Sequence, residues 1–294
     1  MRDGTVAAIP FAAQRHRKPA FMRFPKAMLG LAIVTLVGLL AALAPWIAPY
    51  PVTEMHPEDR FSAPSTKYPL GTDFYGRDLL SRILVGYRVS LLIASLSVGF
   101  ALTAGGTLGI LAGFHGGTVD TVIMRTMDVL FAFPVLLLAI TIVVILGPGV
   151  LTTVLAIGIV YIPIFARITR GPTLVVREHT YIEAARAVGA PSRRILLRHV
   201  LPNVSTPILV QASINLATAI LFESALSFLG LGTQPPYPSL GMMVSEGRTY
   251  LELSPWPTVF PGLAIMLVVL GFNLVGDGLQ EILDPRLRPT WTGS

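Results

Sequence analysis

Residues 129–166 read VLFAFPVLLLAITIVVILGPGVLTTVLAIGIVYIPIFA, without one charged side chain. A single helix of that length overshoots a hydrocarbon core of about 30 Å, which about 20 residues cross. Gly147-Pro148-Gly149 interrupts the run, and such a triplet is a strong turn signal. The stretch therefore predicts a tight hairpin of two membrane-spanning helices.

The same pattern recurs on both sides. Further apolar runs cover 27–49, 89–114, 204–230 and 256–276, which brings the expected number of spans to six. All are expected to be helices, because a backbone exposed to lipid must satisfy its own hydrogen bonds. Composition agrees. Of 294 residues, 53% are hydrophobic and 13% charged, with a mean hydropathy of +0.68. A soluble domain carries about 25% charged residues. The fold class is thus all-α, a polytopic membrane protein with six transmembrane helices. The absence of cysteine excludes a disulfide framework and thiolate chemistry. The net charge of +6 does not point to nucleic acid, since the basic residues cluster beside apolar runs, where they suit membrane lipids. The first run, preceded by Arg15, Arg17, Lys18, Arg23 and Lys26, exceeds a signal-peptide core and reads as a retained anchor helix.

Charge asymmetry orients the chain. Six spans put both termini on one side. That side carries sixteen of the 22 Lys and Arg residues, seven of them from Arg167 to Arg198. The other side carries Arg60, Lys67, Arg77, Arg82, Arg88 and Arg248. This bias places both termini in the cytoplasm. The expected division is a cytoplasmic N-terminal segment 1–26, a first transmembrane helix 27–49 and an extracytoplasmic loop 50–88. A core 89–280 comes next, with cytoplasmic helices at 175–202, and then a cytoplasmic tail 281–294. Trp46, Tyr250 and Trp256 fall where an outer aromatic belt is expected. Gly105, Gly109, Gly113 and Gly117 recur every four residues, which puts them on one helix face and lets another helix approach closely.

No catalytic constellation is present. His179 follows Glu178 without a second His one turn on, and neither a phosphate-binding GxxxxGK[ST] loop nor a GxSxG elbow occurs. The chain reads as no enzyme, and no metal ligands are assigned. Glu223 lies inside the fifth apolar run, and an ionisable group there marks a translocation path by default. Pairing with a polar neighbour is the other reading. Asn215 and Asn273 are further candidates for the path or for bridging helices.

The polar segment EAARAVGAPSRRILLRHVLP, residues 183–202, stands between apolar runs. Gly189 followed by Ala190-Pro191-Ser192 predicts an elbow between two short helices, with Ser192 as a cap. Arg193, Arg194 and Arg198 alternate with Ile195, Leu196 and Leu197. Two readings stay open here: an interfacial loop held by anionic lipid, or a docking helix for another protein.

Glu183-Ala184-Ala185, Gly189 and Leu201-Pro202 resemble, with the same gaps, the EAA signature of bacterial ABC-transporter permeases. His199 stands in the usual Ile slot, as in the RHxLPN form of one subfamily. Residues 69–91, 124–140, 226–243 and 261–286 are similar to segments of the dipeptide, oligopeptide and nickel permeases, C-type subunit. Leu240 departs from the usual Trp, in what reads as an outer loop. The resemblance implies a type I ABC importer permease fold and uptake of dipeptides or oligopeptides. Nickel chelates, glutathione and opine-like solutes are alternative cargoes. It implies as partners a homologous permease, two ATPase subunits that use ATP and Mg, and an extracytoplasmic solute-binding protein. It assigns coupling to the ATPase to Glu183, Ala184, Ala185, Gly189, Arg193, Arg194, Arg198, His199, Leu201 and Pro202. Glu183 is expected to pair with a basic residue or to cap the elbow. A secondary transporter without ATP remains the alternative class; it calls for inverted repeats or mid-membrane ion-coupling groups.

Overall fold

The computed structural model describes residues 25–283. Most of the N-terminal segment and of the C-terminal tail, with Arg286 and Arg288, lies outside them. Five helices among the described residues are long and apolar enough to cross a membrane, and a pair bent by 87° brings the number to six if it is counted as one span. In chain order the helices are α1 (Pro25–Ile47), α2 (Leu79–His115), α3 (Gly117–Phe131), α4 (Val135–Leu146) and α5 (Val150–Arg177). Then come α6 (Thr180–Ala187), α7 (Ser192–Ile195), α8 (Leu201–Phe228), α9 (Leu240–Arg248) and α10 (Trp256–Leu283).

The hairpin expected at 129–166 is present, with one correction. Gly147 ends α4 at φ 89°, a conformation that glycine adopts without a Cβ penalty. The incoming arm, however, is not one straight span from 129. It breaks at residues 132–134, and α3 and α4 meet at 87°. Pro134 explains the break. It has no N–H to continue the helix, and its ring disfavours helical backbone at Phe133. The sequence stretch hides this proline among apolar residues on both sides.

Helix α2 spans 37 residues, about 55 Å at 1.5 Å per residue, so it outreaches the bilayer and begins well before the expected residue 89. Asp78 caps it, accepting from the Ser81 N–H at 2.8 Å. Helices α2 and α5 run parallel and pack through the glycine face. A methyl on Gly105 would press on the Phe165 side chain, one on Gly109 on the Ala166 carbonyl, and one on Gly113 on Thr173. Gly117 does not belong to this set. It opens α3, and nothing lies near its Cα. The chain turns at Gly116 before the four-residue spacing can continue.

Helix α1 runs antiparallel to α10. Gly30 meets Leu274, Gly271 meets Ile33, and Gly278 meets Ala27, so each backbone approaches the other over a small residue. The segment between α1 and α2 folds over the end of the bundle that also carries α9. Phe74 stacks on Tyr250 with ring centroids 4.7 Å apart, and Phe61 meets Tyr250 at 5.2 Å. The 50–78 and 231–255 segments therefore share one face. In this loop Lys67 Nζ lies 2.6 Å from Asp59 Oδ2, and the Tyr68 hydroxyl donates to the same oxygen at 2.9 Å. These two donors hold the Asp59 carboxyl below its usual range, and the same contact raises Lys67.

Leu240 is fully buried at the start of α9, against Gly86 of α2. The expected outer-loop position is thus a packing position. A larger side chain there would need the space in front of Gly86.

Candidate functional site

The end of the bundle opposite α9 carries the polar segment. Helix α5 stops at Arg177, and α6 turns away along the face. Helix α6 ends in a Schellman motif. The Ala190 N–H donates to the Ala185 carbonyl at 3.0 Å and the Gly189 N–H to the Arg186 carbonyl at 2.9 Å, with Gly189 at φ 78°. Gly189 is thus the residue that makes the elbow. No neighbour crowds its Cα, so its backbone conformation, not space, selects glycine.

Beyond the elbow the chain departs from the expected second short helix. Residues Ser192–Phe228 form one helical rod of 37 residues. It contains a π-helical turn over Leu196–Val200. Pro202 has no N–H for the Arg198 carbonyl, and the widened turn just before it takes up that ring. Pro191, not Ser192, occupies the N-cap, and no side chain caps this end. The basic segment after the elbow and a membrane-spanning helix are therefore one continuous helix.

Ile182, Ile195 and Val200 are buried and seat the segment on the bundle. Polar links reinforce the seat. Arg177 Nη1 donates to the Gly113 carbonyl at the end of α2, 2.9 Å away, and the Arg186 guanidinium sits 5.1 Å over the Phe114 ring. Arg170 and Asp120 form a two-pronged pair between α5 and α3. Arg167 reaches Asp128 at 2.7 Å. The Tyr181 ring stacks on His179 and faces His199 at 6.1 Å, and Asn203 Nδ2 donates to the His199 carbonyl at 2.6 Å.

The outward side is open. Val188 is 84% exposed, and Leu197 and Leu201 are exposed as well. Glu183, Ala184, Arg193, Arg194, Arg198 and Pro202 are exposed as well, and Ala185 and His199 partly so. Among the described residues none of the three arginines is in an ion pair. Among the described residues Glu183 neither pairs with a basic residue nor caps the elbow. It sits in the first turn of α6, where a carboxylate is favoured by the helix dipole. Every residue of the expected coupling set is thus on one short stretch of surface. Val188 was missed, although an apolar residue directly before the elbow glycine was visible as a signal.

The expected path residues are not brought together. Glu223 is fully buried on α8. Its Oε2 accepts from Ser90 of α2 at 2.7 Å and its Oε1 from Ser227 at 2.8 Å. Asn215 is buried two turns away, accepting from Gln211 at 2.8 Å. Asn273 is exposed on α10. A shallow cavity of about 450 Å³ opens instead beside Thr206, Gln211 and Gln280. Gln211 and Gln280, uncharged amides on two apolar helices, gave no pattern from which to find it.

Comparison with known proteins gives a consistent picture. Residues 105–289 match the family described as binding-protein-dependent transport system inner membrane component. Residues 20–64 match the N-terminal TM domain of oligopeptide transport permease C. The chain is 44% identical over 274 residues to the dipeptide transport system permease protein DppC of Alkalihalophilus pseudofirmus, covering 92% of this chain and 90% of the relative. It is 46% identical over 295 residues to the glutathione transport system permease protein GsiD of Pectobacterium atrosepticum, covering 98% of each. Among solved structures, inward-facing MetNI methionine ABC transporter aligns with a TM-score of 0.55 and 19% identity, over 69% of this chain and 97% of that one. That likeness concerns the fold.

Proposed function

The chain belongs to the binding-protein-dependent transport system inner membrane components, the multi-pass permeases of bacterial ABC importers, and on that premise we propose that it carries short peptides into the cell. The observation that carries this reading is the match over nine-tenths or more of the chain to permeases named for dipeptides and for glutathione. Glutathione is itself a tripeptide, so one cargo class covers both. The cargo is delivered by a solute-binding protein on the face formed by the 50–78 segment and α9. The end carrying α6 faces the cytoplasm, in keeping with its excess of Lys and Arg.

In this reading a homologous permease completes the path, and two ATPase subunits bind below. They bind and hydrolyse ATP with Mg; this chain has no phosphate-binding loop and receives the motion. Val188, Leu197 and Leu201 supply the apolar anchor for an ATPase groove. Arg193, Arg194 and Arg198 supply unpaired charge around it. Because 192–228 is one rod, a push on this surface moves α8 directly, and through the Ser90–Glu223 bond it reaches α2. Such rigid-body shifts are the usual output of importer closure.

The test is reconstitution. The chain is co-expressed with its partner permease, ATPases and binding protein, placed in liposomes, and supplied with ATP and a radiolabelled dipeptide. ATP-dependent accumulation that requires the binding protein is expected. Equal uptake without ATP, or none of dipeptide or glutathione, would overturn it.

A further inference from the structure

The outward face of α10 changes character along its length. Val259, Leu263, Met266 and Leu270 are exposed and apolar, as a surface against lipid should be. The same face, continued at four- and three-residue steps, then carries Asn273, Asp277 and Gln280, all exposed. Polar groups within a membrane turn toward the bundle interior or a water-filled cavity. The half of this face nearer α6 therefore borders water and not lipid.

The cavity of about 450 Å³ opens at this place. Helices α8 and α10 come together at Gly276, where a Cβ would stand 3.1 Å from the Ile214 side chain. About one turn nearer the α6 end, Gln211 of α8 and Gln280 of α10 both line the cavity. Thr206 adds a hydroxyl, and Ile168, Val210 and Ile214 supply apolar surface. No charged side chain is part of the lining. Such a lining does not suit an ionised terminus, and it offers no strong ligand to a metal chelate.

The Gln211 carboxamide is held in place. Its Nε2 donates to Asn215 Oδ1 at 2.8 Å, and Asn215 is only 3% exposed. Among the described residues, Gln211 Oε1 and the second Nε2 hydrogen have no partner. A trans peptide group points its N–H and its C=O in opposite directions. One carboxamide cannot meet both, whereas two carboxamides on separate helices can. A neutral donor and acceptor from each side would offset the desolvation of that group as it enters the membrane. A volume of this size encloses a whole small ligand.

We propose that Gln211 and Gln280 form a station in the translocation path that hydrogen-bonds the backbone peptide group of the cargo, with Asn215 as the residue that positions Gln211. The inference rests on the reading of the cargo as a short peptide. The group recognised is the one that every short peptide has, whatever its side chains.

The experiment uses the complete transporter in liposomes, with ATP and saturating binding protein. It compares initial uptake of labelled Ala-Phe with that of its ketomethylene isostere, in which a CH₂ replaces the peptide N–H. The readout is the ratio of the two rates, which does not depend on how much folded transporter a sample holds. Gln211→Leu and Gln280→Leu are each expected to lower this ratio about fivefold, the effect of one neutral hydrogen bond. Gln211→Asn, which keeps the carboxamide, should retain part of it. Asn215→Ala should lower it with Gln211 still present. Gln280 is exposed, so Gln280→Leu decides the question even if Gln211→Leu does not insert. A ratio unchanged by the leucine variants, in a transporter that takes up Ala-Phe, would overturn the station alone. No uptake of dipeptide by the unaltered transporter would overturn the peptide reading, and the station with it.

Discussion

The Ser90 hydroxyl donates to the Glu223 carboxylate at 2.7 Å, joining α2 to α8 inside the helix bundle. The two residues are far apart in sequence, and each alone reads as an isolated polar residue in an apolar run. Together they satisfy a group that is expensive within a membrane.

Ser90→Ala leaves Oε2 of Glu223 without its donor. It is expected to lower bundle stability by about 1 kcal/mol, the usual size of an interhelical hydrogen bond in a membrane. Glu223→Gln with Ser90→Ala should cost less than the sum of the two single changes. Thermal unfolding of the nanodisc-embedded complex measures both, and additive losses would deny that the pair acts as one unit.

Gly109→Val should prevent the α2–α5 contact, because the Ala166 carbonyl already occupies the space a side chain would need. Overpacking of this kind costs about 1–3 kcal/mol or more. Gly99→Ala lies on the same helix, with nothing near its Cα, and should be tolerated. Yield of detergent-stable protein separates the two.

Val188→Asp places a charge on the exposed apolar residue beside the elbow. If that residue is an anchor for the ATPase, its loss costs at least about 2 kcal/mol, or roughly thirtyfold in affinity. Gly189→Val forces the φ of 78° onto a branched side chain and tips the elbow out of shape. Both variants should insert normally and fail to couple ATP hydrolysis to uptake. Co-purification with the ATPase subunits is the readout.

Asp59 gives the outer loop a pH dependence. Its folded pKa lies below the ordinary value near 3.9 because Lys67 and Tyr68 donate to the carboxylate. The fold therefore favours the ionised form. The contribution is complete above the unfolded pKa and fades as pH falls through the folded one, so the loop loosens only below about pH 4. Hydrogen exchange in residues 56–72, compared between the wild type and Asp59→Asn, should show a low-pH rise that the variant lacks.

Much of the architecture comes from the order of residues alone. Apolar runs of the right length require helices, since lipid offers the backbone no other partner. Gly147 and Gly189 mark two sharp turns by their conformational freedom. The exposed elbow segment was legible because it is local, with all its residues close to Gly189 along the chain. The bend at Pro134 was less so. A proline inside an apolar run signals a break without saying whether the helix kinks or turns by 87°.

Sequence by itself thus determined the helical spans, because these depend on neighbours along the chain and on the solvent. Tertiary structure alone decided the partner of Glu223, the burial of Leu240 and the pairing of Arg82 with Asp73 and Glu246. Each of those depends on which helices approach and how closely. That in turn is set by small residues such as Gly86 and Gly109, whose effect appears only when another backbone fills the space they leave.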